Sequence, residues 1–423
     1  FGFRKKINDS IVNSSLENVN YSDSYFIDSQ LLNGNNSKLN VYINQNKLVS
    51  KLNNRSDNYL NTRLIYNQKV FKNIINSNLF FETNSGNLPQ QEYTFLEVEP
   101  GLGSYKWIDV NQNNIQELEE FELAIFEDEG RYIRVLLPNQ IFIKTYQNKL
   151  NYSLGLNFSK LKNSNSKLQK LISRFSNQFQ YSIDKKTNLD INPEIEINPF
   201  KLEKDNLLAY SYNLKNILYI NKSKQKYSAI FTFSENESKN TFSFESTRNS
   251  QNYKRVNLIH KANEVYLIAF VANKERSSSS SENYLEKNYI LEKEQLNPTI
   301  TYLAGKNNRI NFLYKLSKIN NLLGNQEFLN QKQFGLSVFL NQKQNRGFVS
   351  EFNYFKNEFN GNINSIISYV MMNGLQDGEN YTWSVRFQQK ISKLLDLNFV
   401  YYGRKSENSR TIHNGSIQLK AIF

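Results

Sequence analysis

The chain has 423 residues, carries 52 Lys and Arg against 39 Asp and Glu for a formal net charge of +13, and contains no Cys. The missing thiols exclude disulfides, thiolate metal sites and cysteine nucleophiles, and no run approaches the ~18 continuous apolar residues of a membrane helix. Aromatics reach 14%, yet Pro is scarce at 6 and the mean hydropathy is only −0.63. A membrane-embedded barrel has such a profile, because only alternate strand residues meet lipid; a soluble all-β sandwich array is its compositional rival. Lys and Arg are scattered through the chain instead of forming patches with exposed aromatics, so nucleic acid is not an expected partner. Lipopolysaccharide phosphates and the lining of a polar lumen are the expected uses of the positive charge.

In chain order, Phe1-Gly-Phe-Arg-Lys reads as the tail of a strand already in progress. No signal-peptide pattern precedes it, and the expectation is the C-terminal part of a longer precursor. Strands are predicted at 38–48, 58–70 and 73–82. Residues 83–140 then break the rhythm and are expected to form one long extracellular loop, with a short helix at 117–126. Further strands are predicted at 141–158, 170–182, 207–220, 226–235, 239–248, 252–261, 263–274, 284–291, 297–305, 308–317, 331–356 (a hairpin), 362–372 and 381–423. Ser277 to Ser281 is expected to be a flexible surface loop. The best patterns lie late in the chain. Tyr381, Trp383, Val385 and Phe387 alternate with Thr382, Ser384, Arg386 and Gln388, and Leu395, Leu397 and Phe399 with Asp396 and Asn398. The five residues 390–394 fit a short periplasmic turn, while 373–380 and 403–410 are longer polar loops, the asymmetry of a transmembrane barrel. The expected fold class is therefore an all-β, antiparallel up-and-down transmembrane β-barrel filling 1–423, with an even strand number of 16 or 18.

The central loop carries a cation-loop spacing. Asp109, Asn111 and Asn113 stand at positions 1, 3 and 5 of twelve, Ile115 would offer a carbonyl at 7, Glu117 stands at 9 and Glu120 at 12. That pattern resembles an EF-hand calcium loop. It departs at position 6, where Asn114 replaces Gly, and at position 8, where Gln116 replaces an apolar residue. Glu119, Glu122, Glu127, Asp128 and Glu129 surround it as an acidic island in a basic chain. The rival expectation is a solvated acidic loop; if Ca2+ binds, its role is structural.

At the end of the chain Ile417, Leu419, Ala421 and Phe423 alternate with Ser416, Gln418 and Lys420. A final aromatic on such a strand resembles the C-terminal targeting signal of bacterial outer-membrane β-barrels, which implies handling by the barrel-assembly machinery. The combination Gly101-x-Gly103-x-Tyr105-x-Trp107-x-Asp109-x-Asn111, followed by Arg131-Tyr-Ile-Arg-Val, resembles a segment of large, poorly characterised outer-membrane proteins of Bacteroidota. The ending from Asn373-Gly-Leu-Gln to Ala421-Ile-Phe423 resembles the same family. The resemblance covers about a fifth of the chain and implies the bacterial outer membrane as location, with lipoproteins or other outer-membrane subunits as partners.

Catalysis is not expected. His260 and His413 are the only histidines; Ser416, three residues from His413, has the opposite strand parity, so the pair fails the one-face requirement of a Ser–His nucleophile. Gly101-x-Gly103 lacks the third Gly and the strand-to-helix setting of a phosphate loop. Three functional expectations follow. The first is a passive, porin-like pore or the anchor of a surface or transport assembly, with Ser384, Arg386, Gln388, Asn398 and Lys420 lining the lumen. The second is a scaffold or translocon subunit plugged by 83–140 or by partners. The third and weakest is a lipid-modifying barrel enzyme.

Overall fold

The computed structural model describes residues 1–423 apart from 13, 52–54, 90–91, 110–111, 138–141, 164, 191–196, 202–205, 223–225, 242–245, 283–284, 306, 343–345, 393, 408 and 422–423. The chain begins with β1 (Gly2–Val12), β2 (Ser15–Asn33), β3 (Ser37–Ser50), β4 (Arg55–Val70) and β5 (Ile75–Pro89). An insertion follows, holding β6 (Glu92–Glu97), β7 (Tyr105–Trp107), β8 (Phe121–Leu123) and β9 (Tyr132–Leu137). Next come β10 (Phe142–Asn157), helix α1 (Lys167–Ile172), β11 (Phe175–Asn188), β12 (Leu207–Ile220), β13 (Tyr227–Asn240), β14 (Thr247–Lys261), β15 (Tyr266–Ser281), β16 (Tyr289–Ala304), β17 (Asn308–Asn321), β18 (Phe328–Gln342) and β19 (Arg346–Asn360). Helix α2 (Ile366–Met372), β20 (Gly378–Ser392), β21 (Leu395–Ser406) and β22 (Ile412–Ala421) complete it.

Eighteen of the strands belong to one sheet, and the insertion forms a separate four-stranded sheet in the order β6-β9-β7-β8. This is the all-β, antiparallel up-and-down class read from the alternation, with the larger of the two expected strand numbers. Among the described residues no helix is long and apolar enough to cross a membrane.

The chain divides into two compact units. The first (Phe1–Glu92, Leu137–Leu218, Ser234–Ser250) contains the consecutive antiparallel pairs β1–β2–β3–β4–β5–β10–β11. The second (Tyr93–Leu136, Tyr219–Phe233, Gln251–Phe423) contains β15 to β22, each paired with the next, together with the insertion and α2. The β16–β17, β18–β19, β20–β21 and β14–β15 connections of this unit are tight, and its wider connections share the opposite end of the strands.

Several expected boundaries shift. β5 runs on to Pro89, so residues 83–89 belong to the hairpin with β10, where Asn84 faces Gln147 and Pro89 faces Phe142. Polar runs such as Thr83-Asn-Ser-Gly-Asn hid it, because a strand with two wet faces has no alternation to read. The stretch 362–372 is not a strand: α2 starts at the Ser365 cap, whose side chain accepts from Ser368 N–H, and stops at left-handed Asn373 (φ 52°). Ser277 to Ser281 are not a loop but the end of β15, with Ser277 to Ser279 facing Leu291 to Tyr289 of β16. That pairing also merges 284–291 and 297–305 into a single β16. In 117–126 the expected helix shrinks to a 3-10 turn at Leu118–Glu120 before β8.

Candidate functional site

The register of the second unit sorts its side chains onto two unlike faces. On one, Ile268 faces Ile300, Ile300 faces Phe312, Phe312 faces Leu336, Leu336 faces Phe352 and Phe352 faces Trp383. Nearer the tight turns the run continues from Phe387 to Phe399 to Ile417, with Leu397 against Leu419 and Leu395 against Ala421. These chains are well exposed, Phe312 at 55% and Ile417 at 73%. Of the residues read as an insertion signal, Ile417, Leu419 and Ala421 thus lie in this stripe; Phe423 lies outside the described residues. Tyr314, Phe334, Tyr354 and Tyr381 form a ring ladder along its border, with centroids 4.6, 6.3 and 5.2 Å apart in turn.

The other face is polar. Ser384, Arg386 and Gln388 sit opposite Tyr402, Val400 and Asn398, and Lys420 opposite Asp396. All five residues expected to line a lumen share this face, and Arg386 pairs with Glu351 at 3.2 Å. Toward the wide-loop end the polar face turns apolar. Leu291, Ile319 and Leu329 pack there against Ile367, Met371, Met372 and Leu375 of the α2 segment, with Phe126 of the insertion joining the cluster.

The insertion is a small module with an aromatic core. Phe95 stacks on Phe121 at 4.1 Å, and Tyr132 meets Phe121 edge-on at 4.9 Å. Gly101 and Gly103 N–H groups both donate to Gly130 O, at 2.9 and 3.1 Å. A Cβ on Gly103 would stand 2.4 Å from Tyr132 N, and one on Gly130 would stand 2.1 Å from Gly103 O. The Gly-x-Gly spacing therefore serves backbone against backbone, not a phosphate.

A 3-10 turn at Glu127–Glu129 fastens this module to the sheet. Arg404 of β21 donates to Asp128 Oδ2 at 2.6 Å and to Glu129 Oε1 at 3.1 Å, with its guanidinium 4.0 Å over the Phe126 ring. Tyr402 donates to Glu127, and Tyr369 of α2 donates to Glu129 at 2.6 Å while accepting from Ile125 N–H at 3.0 Å. Lys106 adds a contact to Glu129 at 3.3 Å, and Lys287 grips Glu122 at 2.5 Å. Burial pushes the Tyr369 phenol above its ordinary range, and the Glu129 carboxylate reinforces the shift by holding its proton. Arg404 and both its carboxylates are largely shielded, so these charge-assisted bonds act in a low-dielectric setting. Sequence reading missed Arg404, Tyr369 and Lys287. The available signal was the acidic island itself, which in a basic chain asks for cationic partners.

The 109–120 loop takes part of the expected shape. Asp109 Oδ2 accepts from Asn114 N–H at 3.0 Å, and Asn114 is left-handed at φ 56°. Asn therefore fills the position where Gly is usual. Asn113 Oδ1 accepts from Ile115 N–H at 2.7 Å. Buried Glu120 spends Oε2 on Trp107 Nε1 at 2.7 Å and on Glu117 N–H. Asp109 Oδ1 is sealed from solvent and has no hydrogen-bond partner among the described residues. Asn111 lies outside the described residues, and among those described no group of three His, Asp or Glu is poised around a metal.

His413 lies at the border of the apolar stripe, its Nδ1 2.8 Å from the Tyr401 hydroxyl and its ring 5.8 Å from Trp383. His260 stacks on Tyr227 at 4.4 Å. In both, the imidazole lies against aromatic rings.

No family model matches the sequence, and no curated protein is similar to it. Several solved structures are similar to it, three of them as follows. The ferric-catecholate import receptor Fiu of E. coli K12 is 6% identical with a TM-score of 0.39, covering 95% of this chain and 64% of its own. CdiB from Acinetobacter baumannii is 9% identical with a TM-score of 0.30, over 99% and 65%. The P. putida toluene transporter TodX is 8% identical with a TM-score of 0.24, over 95% and 88%. The chain thus spans just under two thirds of the length of the first two.

Proposed function

We propose that the chain is a bacterial outer-membrane β-barrel whose long-loop end is closed by its own insertion and α2, serving as a capped conduit or as the anchor of a surface or transport assembly. The exposed apolar stripe running through eight registered strands carries this reading. Water-facing sheets do not present such a surface, whereas hydrocarbon requires it. Tyrosines along the border fit the headgroup level. The cap favours the plugged alternative over an open passive pore, because α2 and Phe126 pack onto the polar face that a lumen would use.

Planar-bilayer recordings of the full-length protein test it. Wild type should be silent or brief in its openings, and Arg404→Ala combined with Tyr369→Phe should raise open time at least about tenfold, the order expected for losing buried charge-assisted bonds. Steady small-ion conductance by wild type, unchanged in the variant, would overturn the cap and restore the passive pore. Absence of the protein from outer-membrane fractions would overturn the barrel.

A second reading concerns calcium. The unpaired, sealed Asp109 Oδ1 and the left-handed Asn114 favour a cation held by Asp109, Asn113, the Ile115 carbonyl and Glu120, with Glu120 turning from Trp107 to the ion. Two carboxylates and one amide make a weak site with a structural role. Millimolar Ca2+ should raise the melting temperature of wild type by a few degrees and leave Asp109→Ala/Glu120→Ala unmoved. Equal responses of both proteins to calcium and chelator would eliminate the site.

A further inference from the structure

A groove of about 770 Å3 opens on the apolar-stripe face of β15 to β18, on the long-loop side of the tyrosine ladder. Its floor is Ala272, Leu296 and Leu316, which face one another in a row across three strands. Its upper wall is cationic, formed by Lys254, Lys274, Lys318 and Lys332. Glu294 is engaged by Lys274 at 2.8 Å, and Glu358 is the remaining acid in the lining.

The cation spacing is unfavourable for a face that meets only water. Lys332 stands directly opposite Lys356 on β19; Lys318, which faces Asn330 on β18 and Glu294 on β16, lies one diagonal step from Lys332. Like charges directly opposite on neighbouring strands, with Cβ atoms ~5 Å apart, destabilise a sheet. Lys318 and Lys356 each face a glutamate on their other side, Glu294 and Glu379, whereas Lys332 faces Leu316 there; all three lysines are exposed. An anion lying over them would convert the repulsion into attraction.

The geometry points to a phosphorylated glycolipid of the outer leaflet, lipopolysaccharide in class, seated with an acyl chain on the Leu296 floor and its phosphates on Lys318, Lys332 and their neighbours. This rests on the outer-membrane reading above. From Lys274 on β15 to Lys332 on β18 the cations span about 14 Å at the usual strand spacing, which suits a headgroup bearing more than one phosphate better than a single phosphodiester. Position agrees, because the groove sits where strands leave the apolar band for the long loops.

The experiment uses the full-length protein extracted in mild detergent, with native mass spectrometry counting bound lipid. Purified lipid A, phosphatidylglycerol and inorganic phosphate are the probes. Wild type should retain lipid A in preference to both others, and Lys318→Glu/Lys332→Glu should retain it about fivefold less, while Lys318→Arg/Lys332→Arg keeps it. Equal retention by the charge-reversed pair, or equal capture of phosphatidylglycerol, would overturn the site. Heat-resistant migration and membrane flotation are followed in parallel. Loss of those by wild type would defeat the barrel reading, whereas their persistence without lipid A preference would defeat the site alone.

Discussion

Arg404 concentrates three interactions in one side chain: two carboxylates and an aromatic face. Both ion pairs are shielded, and breaking such a pair from one side costs about 3–5 kcal/mol, because the partner stays buried and unpaired. Its neighbour Gly403 acts by absence. A Cβ there would stand 2.4 Å from the Trp383 indole, which lies flat across the backbone of β21. Gly403→Val should therefore displace Trp383, weaken the barrel by about 1–3 kcal/mol and shift the tryptophan emission, read by fluorescence during denaturant unfolding. Unchanged emission with unchanged midpoint would mean the ring has a second resting place. Neither role was legible in the sequence, where Gly403-Arg404 read as the start of a polar loop, because both depend on residues far away in the chain.

Among the elements, α2 is the clearest departure from strand rhythm. Only seven residues long, it has too few turns to be stable alone, so its helical state is owed to the apolar pocket over Leu291, Ile319 and Leu329. Met371 is almost fully buried at its centre. Met371→Ala should cost about 2–5 kcal/mol locally and make the 361–377 segment more accessible to protease, while leaving the strand signature in circular dichroism intact. Protection equal to wild type would place the hold on α2 elsewhere, in Tyr369 and Glu129. Strands with one greasy face, such as β20 to β22, were readable from period two alone. Helix α2 was not, because five of the seven residues in Ile366-Ile-Ser-Tyr-Val-Met-Met are apolar and periodicity cannot tell a buried short helix from a buried strand. Of β1 only the first residues were read as strand, as a tail ending near Lys5 where the strand runs on to Val12, and β2 was not read, for the opposite reason: their polar residues outnumber and interrupt the apolar ones.

At the scale of the whole molecule, class and strand number were legible because alternation repeated many times over, and errors in single boundaries cancelled. The site was half legible. The spacing from Asp109 to Glu120 and the acidic island marked the insertion, and its conformation at Asn114 follows that spacing; the residues that fasten it, Lys287, Tyr369, and Tyr402 with Arg404, come from three separate stretches and left no local pattern. A last consequence concerns assembly. β5 and β10 are hairpin partners, Pro89 facing Phe142, yet 52 residues separate them. Closing a span of that length instead of a four-residue turn costs about 2 kcal/mol in chain entropy. An early-formed nucleus within 93–136, tied by Phe95, Phe121, Tyr132 and the glycine contacts, would draw the two ends together before the hairpin zips. On the capped reading proposed above, the closing module would have begun as the clasp that let the first unit knit.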